Sequence, residues 1–308
     1  MYKRQHIFWR AEPEAPRVTT VTRLEIYQDS SGGENWQSRN HLNRNGIIPC
    51  AFRGYRVRTP GRDRSGLRAA PVVGIQTGQV CLEAAMVGFW QEFPKALEVD
   101  DAGLHLRFFP HQFGDLFELQ GGEQKTHTCW LNVDAPPTGT GLSLDWVHRP
   151  IHIQIDPSWI EASGTLQHFI PTSRVPRATP RRPTSSPASA HSSSGQTQTP
   201  LEPLLSEVVQ GPHPYVTRRE IIDEYGWRNF GEIYADHEEA YYKGPRPVIS
   251  HYNNQYDFLY GLVLNGLRSG DARWLELAGP LARHVIDIDI YHTQADKADY
   301  NGGLFWHT

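Results

Sequence analysis

The hydrophobic period changes once along this 308-residue chain, and that change limits the folds open to it. Up to about residue 165 apolar residues alternate in short runs. Val18–Tyr27 places Val18, Thr20, Thr22, Leu24 and Ile26 on one side, and similar runs follow at Cys50–Arg58, Gln79–Val87, Leu104–Phe109, Thr126–Val133 and Ile151–Ile155. Gly, Pro, Asn and Asp clusters separate them, as Ser31-Gly32-Gly33 and Asn45-Gly46 do. Short alternating runs between turn residues predict an antiparallel sandwich. From Tyr256 onward the apolar residues recur every three or four positions, at Phe258, Leu259, Leu262, Val263, Leu264 and Leu267. That is the period of an amphipathic helix. Gly270 suits the left-handed residue that closes it, and Asp271 the cap of a second helix through Trp274, Leu277, Ala278, Leu281, Ala282, Val285 and Ile286, with Pro280 as a kink point. A third helix is expected near Glu232–Tyr242.

Between these regions, residues 171–200 hold six Pro, seven Ser, five Thr, four Arg and no acidic residue. Such a stretch buries too little apolar surface to offset its ordering entropy, so it reads as a disordered linker or insertion. The expected organisation is multidomain β + α: a β-sandwich over residues 1–165, a linker over 166–204 and a partial helical domain over 205–308. The linker also helps explain a modest hydrophobic fraction of 38%.

Composition excludes several classes. With 30 basic and 34 acidic residues, a generally basic nucleic-acid-binding surface is not expected. No apolar run reaches the roughly 18 residues of a membrane span. Residues 1–9 carry two positive charges but no apolar segment behind them, so no signal peptide is read and a cytoplasmic location is expected if Met1 is the true start. Cys50, Cys81 and Cys129 lie far apart, without a CxxC pair. No GxGxxG, Walker, HExxH or GxSxG motif occurs, so neither nucleotide-dependent nor serine-hydrolase chemistry is indicated.

Chemistry concentrates in Tyr225–Glu238 and His251–Asp257, where Trp227, Arg228, Asn229, Glu232, Asp236, His237, Glu238, His251, Tyr252, Asn253, Asn254, Tyr256 and Asp257 fall within 33 residues. Aromatic faces mixed with amides and carboxylates suit a carbohydrate, whose rings stack and whose hydroxyls need directed hydrogen bonds. Asp236, His237 and Glu238 are adjacent, and neighbours on a helix diverge, so no metal site is read there and no cofactor is expected. Lys125 and His127 fall in phase on one strand face, where they could pair with an acidic group, or Lys125 could be buried with its pKa lowered.

Six strings, SSGGENWQSRNHLNRNG, FWQEFPKALE, LQGGEQKTHT, GWRNFGEIYADHE, HYNNQYDFLYG and the terminal NGGLFWHT, resemble the exo-rhamnogalacturonan lyases of polysaccharide lyase family 26 and their YetA-like relatives. The resemblance covers nearly everything except residues 166–204. It implies a central β-sandwich for residues 1–165 and the start of an α/α toroid for 205–308. An N-terminal β domain and the remaining helical hairpins would then be missing, as in a truncated member. It also implies cleavage of the rhamnose–galacturonate backbone of pectin by β-elimination, on a polysaccharide or oligosaccharide partner. That chemistry needs a base at C5 of the uronate, a cation or amides at its carboxylate, and an acid at the leaving oxygen. Candidates are His251 as base or acid with Tyr252 or Tyr256 as its partner; His307 as a further acid/base; Arg228, Asn229, Asn253 and Asn254 at the carboxylate; and Trp227, Asp257 and Trp306 elsewhere on the substrate. A glycoside hydrolase using two of Asp236, Glu238 and Asp257 is the rival enzyme reading. A non-catalytic carbohydrate-binding remnant is the rival of another class.

Overall fold

The computed structural model describes residues 6–15, 18–20, 22–111, 114, 116–134, 141–151, 153–172, 201–212, 214–234, 244–245 and 248–305. Residues 173–200, the bulk of the expected linker, fall outside the described residues. So do Asp236, His237, Glu238, Trp306 and His307.

Among the described residues, ten strands form two antiparallel five-stranded sheets. In chain order they are β1 (His6–Arg10), β2 (Val18–Thr20), β3 (Leu24–Gln28), β4 (Tyr55–Thr59), β5 (Arg62–Gly66), β6 (Val72–Thr77), β7 (Val80–Met86), β8 (Lys95–Asp100), β9 (Gly103–Arg107) and β10 (Cys129–Asp134). One sheet runs β10-β7-β6-β1-β2 and the other β5-β4-β3-β8-β9. They share one core: Ile7, Trp9, Val73 and Met86 from the first meet Leu24, Ile26, Val57, Leu97 and Val99 from the second. A sandwich of two antiparallel sheets is thus what the strands build. The outer face of the first sheet is covered as well, because Leu142, Leu144 and Val147 pack on Phe8, Val72, Cys81 and Ala85.

Strand boundaries depart from the expected runs in instructive ways. Val18–Tyr27 is two strands in different sheets, since residues 22–23 carry the chain from one layer to the other. Among its described residues the Ile151–Ile155 run forms no strand; Ile151 and Ile153 lie exposed. Strand β5, Arg-Asp-Arg-Ser-Gly, shows no apolar alternation because it is an exposed edge, where charge protects against further pairing.

Five α-helices occur among the described residues: α1 (Pro157–Ser163), α2 (Leu201–Gln210), α3 (Tyr215–Ile222), α4 (Phe258–Ser269) and α5 (Ala272–His284). The expected hairpin is present as α4 and α5. Gly270 is left-handed at φ 67° between them, and the Asp271 carboxylate accepts from Arg273 N–H as the α5 cap. Leu262, Trp274, Leu277, Ala278 and Leu281 form its core with Val209 of α2 and Ile233. Helix α5 runs through Pro280 and then widens into a π-helical turn, Val285–Asp289, which buries Asp287 and Asp289. Glu232 does not open a helix; it lies in an isolated bridge with Phe230. Helix α1 packs on α4, and Arg268 donates to the Ile170 carbonyl at 3.0 Å, so both ends of the segment 157–170 are tied to the helices.

The chain leaves β3 through a run of polar residues that fixes its path toward the helices. Gln28, Asp29, Ser30 and Ser31 are all fully buried. Gln28 Nε2 donates to the Leu67 carbonyl at 2.9 Å, and Asp29 accepts from Ala51 N–H at 2.6 Å and Phe52 N–H at 2.8 Å. Buried polar groups persist only when paired, and here the pairs hold the outgoing loop in place. Gly32 then takes φ 74°, and a Cβ there would meet the Leu67 carbonyl oxygen at 2.1 Å. Gly32→Ala is expected to cost about 2–4 kcal/mol from left-handed strain plus overlap. The shift in urea-denaturation midpoint, at unchanged m-value, measures it.

Candidate functional site

The loop that leaves Gly32 crosses to the end of α3, where two consecutive carboxylates point into it. Asp223 ends the helix in a left-handed conformation, φ 57°, a position where glycine usually sits. Its carboxylate accepts from Ser31 Oγ and pairs with His41 Nε2 at 2.7 Å. Glu224 accepts from Asn40 Nδ2 at 2.9 Å and pairs with His251 Nε2 at 3.1 Å. Both carboxylates are completely buried.

From there the segment 225–229 is held against the sandwich by backbone and side chain alike. Gly226 N–H donates to the Gln91 carbonyl at 2.7 Å and Trp227 N–H to the Phe93 carbonyl at 2.8 Å. Asn229 Nδ2 donates to the Asn40 carbonyl at 2.8 Å. Arg228 forms a two-pronged pair with Glu123, at 2.7 and 2.5 Å. Thr126 donates twice to Asp287, at 2.9 and 2.8 Å, and so ties the 119–128 string to the π-helical turn.

Two clefts open at this junction. One, of about 500 Å³, is lined by Asn40, His41, Phe117, Trp227, Arg228 and Asn229 among others. The second, of about 700 Å³, includes Glu232, His251, His284, Tyr291, Tyr300 and Phe305. Gln120, Arg228 and Asn229 line both, so the two adjoin. Trp227 stands edge-on to Phe109 and Phe117, with centroids at 5.4 and 6.0 Å, which steadies its ring at the mouth of the first cleft.

A chain of ionisable groups runs beneath the second cleft. His251 reaches Glu224 with Nε2, and its Nδ1 lies 3.4 Å from Glu232. His284 Nε2 lies 3.7 Å from the same Glu232 and 3.5 Å from Asp289. Burial raises the Glu232 carboxyl, and the two histidines only partly offset it. Burial on its own would lower His251, but Glu232 and Glu224 outweigh it and hold the imidazole above its ordinary range. The same balance, with Glu232 and Asp289 as partners, raises His284.

Of the residues expected from sequence, His251, Trp227, Arg228 and Asn229 line the clefts. Arg228 is already answered by Glu123. Asn254 donates to Asp289 and to the Phe305 carbonyl, at 2.7 and 2.8 Å, which makes it a tie between loops. Asn253 is buried, and neither end of its amide has a hydrogen-bond partner among the described residues. Tyr252 and Tyr256 face each other at 6.3 Å outside both clefts, and Asp257 sits exposed at the start of α4. His41, Asp223, Glu224, His284 and Asp289 escaped the sequence reading. Asp223 and Glu224 adjoin the string 225–238, and His41 lies inside the first resembling string, so adjacency alone was their signal.

No protein-family model matches the chain, and no curated protein matches it.

A second buried cluster braces the sandwich under the site. Glu92 Oε2 accepts from Lys95 Nζ at 2.6 Å, its Oε1 pairs with Lys125 Nζ at 3.3 Å, and the His127 ring nitrogen lies 3.7 Å away. The acidic partner expected for Lys125 and His127 is therefore Glu92. Burial raises the Glu92 carboxyl, but His127, Lys95 and Lys125 together bring it down to about 2. Because the folded-state value lies below the unfolded 4.5, Glu92 stabilises the fold above that pH, and the contribution fades as pH falls toward 2. Glu92→Gln, which leaves Lys95 buried without its counter-charge, is expected to cost about 3–5 kcal/mol at pH 7. The gap from the parent chain should narrow progressively below pH 4.5, as read from urea midpoints across that range.

Proposed function

We propose that this chain is a carbohydrate-active protein of the exo-rhamnogalacturonan lyase type, cutting a rhamnose–galacturonate backbone by β-elimination. The observation that carries the reading is convergence. Strings far apart in sequence, each carrying the family resemblance, meet at one junction: 30–46 through His41 and Asn40, 89–98 through Gln91 and Phe93, 119–128 through Glu123, 226–238 through Arg228 and Asn229, and 251–261 through His251. Adjoining clefts with one indole, three tyrosines, amides and histidines suit a sugar chain better than an apolar ligand. On this reading residues 205–308 are the first part of a toroid, and the stretch 171–200 is a linker.

His41 takes the proton-transfer role at C5 of the uronate. Its ring is oriented by buried Asp223 as a general base requires. Trp227 gives a sugar ring its stacking face. Tyr291 and Tyr300, on the wall of the second cleft, are the candidate acids for the leaving oxygen. Elimination breaks the C4–O bond as the C5 proton leaves, and the product carries a C4=C5 double bond.

A hydrolase needs two carboxylates free to face the scissile bond. Among the described residues the cleft carboxylates are engaged: Glu118 with Arg44, Glu123 with Arg228, Asp296 with Tyr291, and Glu232 between two histidines. The elimination reading is therefore preferred.

Incubation with rhamnogalacturonan should produce the ultraviolet absorbance of an unsaturated uronate. His41→Gln should lower kcat by about 10²–10⁴-fold while KM changes little. A folded chain that binds the polymer without producing that absorbance would show a binding remnant, and new reducing ends without absorbance would show a hydrolase.

A further inference from the structure

We propose that Glu224, Glu232 and His251 form a binding site for one divalent first-row transition ion, zinc by its donor set, with His284 as a further donor and the cleft as the open position. One donor atom from each of the first three lies within 4.8 Å of the others. The His251 nitrogens stand 3.1 and 3.4 Å from the two carboxylates. Donors about 2.0–2.2 Å from a tetrahedral zinc are themselves roughly 3.3–3.5 Å apart. One ion takes a single imidazole nitrogen, so Nδ1 with Glu232 at 3.4 Å already has that spacing, whereas Glu224, 3.1 Å from Nε2, must swing round the ring to join.

His284 is the independent observation. Its side chain is only 3% exposed, yet neither ring nitrogen has a hydrogen-bond partner among the described residues. Buried imidazoles are ordinarily satisfied. Nε2 instead faces Glu232 at 3.7 Å and Asp289 at 3.5 Å, and that Asp289 oxygen is also without a hydrogen bond. This spacing is wide for hydrogen bonds but matches the edges of a coordination polyhedron.

Charge points the same way. Glu224, Glu232 and Asp289 oppose two imidazoles in a region closed to water except through the cleft, so a divalent cation would relieve a net negative cluster. Asn40 and Asn254, which donate to Glu224 and Asp289, supply the outer hydrogen bonds that hold ligating carboxylates in place. Mixed nitrogen and oxygen donors favour zinc over calcium, which prefers six to eight oxygens. Zinc can expand to five-coordinate, so with His284 joining the three the cleft side still offers a position for water or substrate. Ion binding itself stands apart from the lyase reading. Only the ion's role, as the positive charge at a uronate carboxylate, rests on that reading.

The test uses the full chain, stripped with a chelator and titrated with zinc, with calcium in parallel. The expected result is one equivalent of zinc at micromolar or tighter affinity, a raised thermal midpoint, and no competition from calcium. His251→Gln and Glu232→Gln should each weaken zinc at least tenfold, and half-buried His105→Gln on β9 should not. Cobalt loading of the parent chain should give paramagnetically shifted imidazole N–H signals, a readout that stands if the variants do not fold. A folded parent chain that takes up no zinc, prefers calcium, or binds equally well in both variants would overturn the site. Zinc uptake without lyase product would leave the site standing and remove the lyase reading.

Discussion

Asp223 ties two distant parts of this architecture together. It is buried at the end of α3 in a left-handed conformation, and its carboxylate reaches Ser31 and His41 in a loop almost two hundred residues earlier. A buried carboxylate is costly unless fully paired, so loop and helix end constrain each other strongly. The neighbouring Glu224 repeats the arrangement with Asn40 and His251. Two consecutive residues thereby fix the first loop, the helix end and the start of the α4 region in one geometry, and the clefts are what remains between them.

The same constraint shapes the chemistry. Backbone bonds from Gly226 and Trp227 to the 91–93 turn leave Trp227 and Arg228 little freedom. Glu92, Lys95, Lys125 and His127 brace that turn from below through charges held out of water. Interactions at low local dielectric are strong when satisfied and expensive when broken, which suits a site that must hold its geometry. In the second cleft the π-helical turn after α5 delivers Asp287 to the sandwich and Asp289 to the ionisable chain. Widened turns of this kind often redirect side chains at functional sites.

Elements with strong internal periodicity were legible in the sequence. The α4–α5 hairpin was, with its Gly270 and Asp271 signals, because amphipathic spacing and capping are local properties. Strands β7, β9 and β10 were placed within a few residues. Strand β5 was not, since an exposed edge needs no apolar alternation. The Ile151–Ile155 run misled, because its apolar residues found no sheet to join. At the site, His251, Trp227, Arg228 and Asn229 stood out by local density. His41 and Asp223 did not, for neither is unusual until the other is beside it.

The sequence by itself determined a β-patterned half, a helical half and the strings in which polar and aromatic residues gather. Period and capping depend on neighbours a few residues away, so the chain carries them openly. Only the tertiary structure decided which of those strings meet, that Arg228 is spent on Glu123, and that His41, Glu232 and His284 line the clefts. Those outcomes depend on burial, which forces distant charges to find partners, and no local pattern records which partner each will find.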